Sequence, residues 1–140
     1  MPRNCLILGS GRSGTSLTAG LFAKAGYFMG EELYDEAAGD GNPKGFFEDR
    51  EINLINEDLL GPVIKAYRHR TANKIFHRMR RRDLKLREWQ RWLATLPASA
   101  CIGSSPKIER RIQRLAAREP FCFKDPRFSY TLGVWRPLVR

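Results

Sequence analysis

The residues best suited to chemistry lie near the start of the chain, in Gly9-Ser10-Gly11-Arg12-Ser13-Gly14-Thr15-Ser16. Glycines let successive backbone N–H groups turn toward one point, and such a nest binds anions. Arg12 adds a cation, and Ser13, Thr15 and Ser16 add hydroxyl donors. The set suits a phosphate or a sulfate. Group transfer at such an anion needs in-line positioning, a cation on the departing oxygen and a base for the acceptor. A carboxylate or histidine is therefore expected beyond the first helix.

These groups have to be held by a scaffold, and the flanking pattern predicts one. Cys5-Leu6-Ile7-Leu8 is a short apolar run that stops at Gly9, as a buried parallel strand does. From Thr15, Leu17, Leu21, Phe22 and Ala25 recur at helical spacing until Gly26 marks a stop. Strand, glycine turn and helix in succession open an α/β fold. With its second strand, the expected architecture is a P-loop-like parallel sheet flanked by helices.

Gly30 to Gly45 reads as a long surface loop, and loops of that length tend to be functional. A helix is predicted from Glu48, with Ile52, Ile55, Leu59 and Leu60 on one face and Gly61-Pro62 as its end. Ile75 through Leu96 is predicted helical, with Phe76, Met79, Trp89, Trp92 and Leu93 as apolar contacts and Pro97 closing it. A further helix runs from Pro106, at its first position, to about Arg118. Phe121-Cys122-Phe123 is the second strand, with Lys124-Asp125-Pro126-Arg127 at its C-terminal end. Trp135 onward reads as the start of another helix. Two strands are fewer than an average sheet holds, so a C-terminal part of the domain is expected to be missing.

The glycine turn departs from G-x-x-x-x-G-K-[ST] at one position: Thr15 stands where the lysine would be. In nucleoside triphosphate enzymes that lysine reaches the β- and γ-phosphates, while a Ser/Thr and a Walker-B aspartate hold Mg²⁺. No apolar strand ending in such an aspartate is evident. The turn therefore suits a donor with one 5′-linked diphosphate-like group and no metal. The bland alternative is an incidental glycine turn between a strand and a helix.

Gly11-Arg12-Ser13-Gly14-Thr15-Ser16-Leu17 resembles the 5′-phosphosulfate loop of the sulfotransferase superfamily, with Gly11 in place of the usual proline. The resemblance implies 3′-phosphoadenosine 5′-phosphosulfate as co-substrate and transfer of its sulfuryl group to a hydroxyl or amine. It implies that Arg12 contacts the bridging and sulfuryl oxygens, while Ser13, Gly14, Thr15 and Ser16 cradle the 5′-phosphate. Phe123-Lys124-Asp125-Pro126-Arg127-Phe128 resembles the Lys-Asp-Pro segment of tyrosylprotein sulfotransferases and many bacterial relatives. There the lysine approaches the leaving oxygen, which nominates Lys124. A strand's C-terminal edge is where α/β sheets bind ligands.

Two carboxylates compete as the base. Asn42-Pro43-Lys44-Gly45-Phe46-Phe47-Glu48 resembles a segment of bacterial sulfotransferases and nominates Glu48, partly desolvated behind an aromatic pair. The plain alternative for Glu48 is an acid that stabilises a helix N-terminus. Gly30-Glu31-Glu32 resembles the Gly-Glu-Glu of tyrosylprotein sulfotransferases and nominates Glu32, although the residues that follow do not match. His69 and His77 are expected at solvated helical positions. The superfamily also holds the donor's 3′-phosphate on a later segment, so residues 1–140 are expected to form the N-terminal portion of one such domain.

The chain's 140 residues suffice for one domain. Its net charge of +10 favours an anionic partner without choosing between nucleotide, polyanion, nucleic acid and acidic membrane. Arg68, Arg70, Lys74, Arg78, Arg80, Arg81 and Arg82 would suit a phosphate-tracking helix, or simply a solvated face; no nucleic-acid motif accompanies them. Cys5, Cys101 and Cys122 are odd in number and lack metal-ligand spacing, which argues for a reducing, cytoplasmic setting. No apolar run is long enough to span a membrane. The competing readings are a small metal-dependent P-loop kinase, a basic binding module and a truncated chain without activity.

Overall fold

The computed structural model describes residues 3–10, 13–34, 45–75, 96 and 100–139, with the backbone alone over 65–75. The helix expected over Ile75–Leu96 lies outside the described residues beyond Ile75, save Leu96. So do His77, Arg78 and Arg80 to Arg82, and the side chains of Arg68, His69, Arg70 and Lys74.

The chain is α/β. Its elements run β1 (Cys5–Ile7), α1 (Thr15–Lys24), α2 (Arg50–Ile75), α3 (Pro106–Ala116), β2 (Cys122–Lys124) and α4 (Phe128–Trp135), followed by a 3₁₀ turn at Arg136–Leu138. The strands are parallel, with Cys5 opposite Cys122, Leu6 opposite Phe123 and Ile7 opposite Lys124. Phe28 bridges β2 from its other edge: its N–H donates to the Pro120 carbonyl at 2.8 Å, and its carbonyl accepts from Cys122 N at 2.9 Å. β2 thus has neighbours on both sides.

Side chains on a strand alternate between faces, and here the alternation separates two apolar layers. Phe121 and Phe123 point into the larger core with Ile52, Ile55, Leu59, Ile112, Leu115, Phe128 and Trp135. Cys122 points the other way, into a cluster with Ile7, Ala19 and Met29 that Phe22 and Phe47 flank. By the same alternation Lys124 belongs to this second face, the one α1 covers.

The helix boundaries show local and tertiary forces in competition. α1 ends just before Gly26, whose φ of +85° suits glycine, as its position predicted. α3 begins at Pro106, with the Ser105 hydroxyl accepting from Ile108 N at 3.4 Å as its cap. α2 departs from expectation at both ends. It starts at Arg50 rather than Glu48, and it continues through Gly61-Pro62 to Ile75. A proline removes one hydrogen bond from a helix interior. Leu59, Leu60 and Ile64 are buried on either side of Pro62, which is itself exposed, so packing of the apolar face offsets that loss. Trp135 ends a helix rather than starting one. In α4, Phe128, Thr131 and Trp135 are all fully buried.

Polar contacts tie the helices together. The Arg111 guanidinium on α3 meets Glu51 at 2.7 and 3.1 Å and Asp58 at 2.7 Å, both on α2. On α4, Thr131 Oγ1 and Trp135 Nε1 each donate to Asn56 Oδ1 at 2.8 Å.

Candidate functional site

The C-terminal ends of β1 and β2 coincide, since Ile7 is the register partner of Lys124 and Asp125 N donates to the Ile7 carbonyl at 3.2 Å. The glycine turn leaves from the same edge. Gly9 has φ +147° and Gly14 has φ +82°, conformations that side chains rarely adopt. Ser13 Oγ donates to the Ser10 carbonyl at 2.6 Å, closing the turn across its base. Ser13 and Gly14 are exposed, and Thr15 and Ser16 half-buried. Gly11 and Arg12 lie outside the described residues.

Among the described residues no side chain caps α1, and its first turn holds no acid. The first-turn N–H groups and the helix dipole therefore present positive potential toward the turn. An anion is the natural complement.

Beside this edge the fold joins two residues that lie 76 positions apart: the Lys124 ammonium donates to Glu48 Oε1. The Lys124 side chain is 4 % exposed and that of Glu48 19 %. The Phe46 ring lies 5.7 Å from Lys124 Nζ, on the ammonium's apolar flank. A lysine buried this deeply is tolerated only when paired. Glu48 is its carboxylate partner.

Glu48 is not the acid that caps α2. Asp49 does that: its Oδ1 accepts from Ile52 N at 3.0 Å. The other oxygen of Asp49 accepts from Glu32 N at 2.8 Å, and Leu33 forms a bridge with Asp49. A Cβ added at Gly30, where φ is +135°, would lie 2.3 Å from Asp49 Cβ, so the approach of these segments requires glycine there. Asp49 thereby draws the Gly30–Leu33 segment against the start of α2 and leaves the neighbouring Glu48 carboxylate for Lys124. Glu32 takes a different course. It pairs with Arg50 at 2.9 Å on the surface, its side chain 66 % exposed and the guanidinium held raised above its ordinary value by that contact.

Next to Lys124 along the chain begins a buried polar cluster with no evident signature in the amino-acid pattern. Arg127 reaches Asp125 at 3.1 Å, Glu57 at 3.3 Å and the Asn53 side-chain oxygen. Asp125 Oδ1 also accepts from Arg127 N at 2.8 Å. Burial drives the Asp125 carboxyl above its ordinary value of 3.8; the charge of Arg127 and the amide of Asn56 oppose this. A carboxyl raised in this way favours the folded state fully below about pH 3.8, and the contribution is lost as the pH rises through its folded pKa. Asp125→Asn removes that dependence. The urea midpoint of the unmodified protein is expected to fall more steeply from pH 4 upward than that of Asp125→Asn, and equal slopes would refute the assignment.

On the same face Cys122 is fully buried opposite half-buried Cys5, and its thiol is pushed up to about 12 by burial and by Cys5. That is the behaviour of a packed apolar group rather than a nucleophile. Among the described residues no group of His, Cys, Asp and Glu is arranged to hold a metal ion, and no helix is long and apolar enough to cross a membrane.

Of the nominated residues, Glu48 and Lys124 stand in contact, and the turn carrying Ser13 to Ser16 leaves the strand edge where Lys124 sits. Glu32 is held apart on Arg50. Asp49 and Arg127 were not nominated. An aspartate directly before an amphipathic helix is a cap signature that could have identified the first, whereas nothing in the sequence foretells the partners of the second. Compared with protein-family models, with curated proteins and with solved structures, the chain matches none.

Proposed function

We propose that the chain is the donor-binding portion of a sulfotransferase, an α/β unit of P-loop-like design that moves a sulfuryl group from 3′-phosphoadenosine 5′-phosphosulfate to a hydroxyl or amine. The observation that carries this reading is the Glu48–Lys124 pair at the strand edge from which the glycine turn departs. A base and a cation in contact, beside a turn and helix end suited to an anion, meet the requirements of in-line sulfuryl transfer. The likeness of residues 11–17 and 123–128 to sulfotransferase segments points the same way.

In this mechanism Gly11 to Ser16 cradle the 5′-phosphate and Arg12 lies against the sulfuryl oxygens. The acceptor oxygen forms a bond to sulfur while the bond from sulfur to the bridging oxygen breaks. The acceptor proton passes to Glu48. The electron pair of the broken bond stays on the 5′-phosphate, and adenosine 3′,5′-bisphosphate departs. Protonation of Glu48 ends its attraction for Lys124 at the moment the leaving oxygen gains charge, so the ammonium can turn to that oxygen. The exchange keeps a buried cation paired throughout.

Calorimetric titration tests the donor. Adenosine 3′,5′-bisphosphate and adenosine 5′-phosphosulfate are expected to bind without Mg²⁺. Arg12→Ala is expected to weaken both by about tenfold or more, as befits loss of a charge-assisted contact. Binding of ATP with Mg²⁺, and of neither adenosine ligand, would instead indicate a metal-dependent kinase.

A further inference from the structure

We propose that Phe47 is a positioning residue, its ring wedged against Gly20 of α1 so as to hold the left-handed backbone turn that delivers Glu48 to Lys124. Phe47 has φ +54° and is the one non-glycine residue with positive φ among those described. Bulky side chains disfavour that conformation, which persists only where surrounding contacts enforce it. Gly45, two residues earlier, has φ +82°.

The result is a sharp divergence of three consecutive side chains. Phe46 lies over the Lys124 ammonium, Glu48 grips that ammonium, and Phe47 turns away to α1. A Cβ placed on Gly20 would come within 3.2 Å of both Cε2 and Cζ of the Phe47 ring. An alanine at position 20 would therefore require the ring to give by a few tenths of an ångström. Phe47 also packs against the cluster of Ile7, Ala19, Met29 and Cys122, and Ile7 is the register partner of Lys124. On the far side of Glu48 the chain is fixed again, because the Glu48 carbonyl accepts from Tyr34 N at 2.9 Å and Asp49 caps α2. Glu48 is thus anchored from both directions, and the Phe47 anchor rests on the helix that follows the anion turn. The wedge sets the distance between the base and the donor's end of the site.

The structural part of this inference stands on geometry alone, while its kinetic part rests on the sulfuryl-transfer reading. Two variants of the full chain separate them. Phe47→Gly keeps the left-handed backbone accessible but deletes the ring. Gly20→Ala strengthens α1 in itself yet presses the ring away by a few tenths of an ångström. The first readout is solvent exchange of the Lys124 ammonium protons, followed by ¹H–¹⁵N NMR and assigned by loss of the signal in Lys124→Met. Both variants are expected to accelerate exchange by about tenfold or more, while amide signals of Cys5–Ile7 and Cys122–Lys124 persist. The second readout is donor turnover: kcat is expected to fall by about 10- to 100-fold, with affinity for adenosine 3′,5′-bisphosphate held within about twofold.

Unchanged ammonium exchange in Gly20→Ala overturns the proposal, whether or not Phe47→Gly folds. Faster exchange without donor turnover in any form, including the unmodified chain, supports the wedge and tells against sulfuryl transfer. Faster exchange with unchanged kcat in an active protein would show that Phe47 packs the fold without positioning the base, and overturns the proposal too.

Discussion

Under the proposed sulfuryl transfer, Glu48→Gln is expected to slow the reaction by about 10²- to 10⁴-fold, the range spanned by positioned general bases. The substitution keeps an oxygen that can accept from Lys124 but removes the capacity to take the acceptor's proton. Release of labelled sulfate from the donor, with water as acceptor, measures the effect without knowledge of the natural acceptor. Lys124→Met is expected to lower the same rate by about 10²- to 10³-fold, because the charge that develops on the leaving oxygen is no longer met by a cation. Groups that act as a unit do not add, so the double variant should be little slower than the worse single one. Glu32→Gln provides the contrast. Its carboxylate is exposed and committed to Arg50, and its replacement is expected to change the rate by less than about twofold. A collapse of activity in Glu32→Gln, with Glu48→Gln unaffected, would transfer the role of base to Glu32.

The second large effect concerns stability. Arg127→Met is expected to destabilise the fold by about 3–5 kcal/mol, because it strands a buried carboxylate without its cation. Asp125 is fully buried, and Asn53 and Glu57 lose the same guanidinium. Domains are typically stable by about 5–15 kcal/mol in all, so the variant should lie close to unfolding at ordinary temperature. Urea denaturation followed by circular dichroism reads the shift. Asp125→Asn introduced alongside Arg127→Met should recover part of the loss, since the stranded charge is then gone. Additive losses in the double variant would mean that the two residues do not act as a pair.

Much of the scaffold was legible because its signals are local. A glycine that adopts positive φ ends α1, and serine followed by proline opens α3. Cys5–Ile7 and Phe121–Phe123 are apolar runs beside turn-forming residues, although the second strand itself runs one residue later, over Cys122–Lys124. The departures occur where distant packing outweighs local preference. α4 contains Thr131, Gly133 and Val134, all poor helix formers, and is held by burial of Phe128 and Trp135 and by Asn56 on α2. α2 crosses Pro62 for a similar reason. Within the site, Glu48 and Lys124 could each be nominated, but their contact depends on Asp49 taking the cap and on Phe47 taking a conformation that sequences usually reserve for glycine or asparagine.

The parallel pairing of β1 with β2 also bears on how the molecule comes into being. The Phe121 amide donates to the Asn4 side chain across 117 intervening steps of chain, and the strand ladder spans a similar separation. Closing so long a loop carries an entropic penalty that no nearby contact offsets, which makes this step slow relative to helix formation. During synthesis the glycine turn and α1 would emerge from the ribosome long before their partner strand exists. Nascent chains halted before Phe121 would carry the glycine turn but neither the sheet nor the lysine, and pulse-labelled, stalled chains of increasing length should acquire protease resistance only once β2 has cleared the exit tunnel.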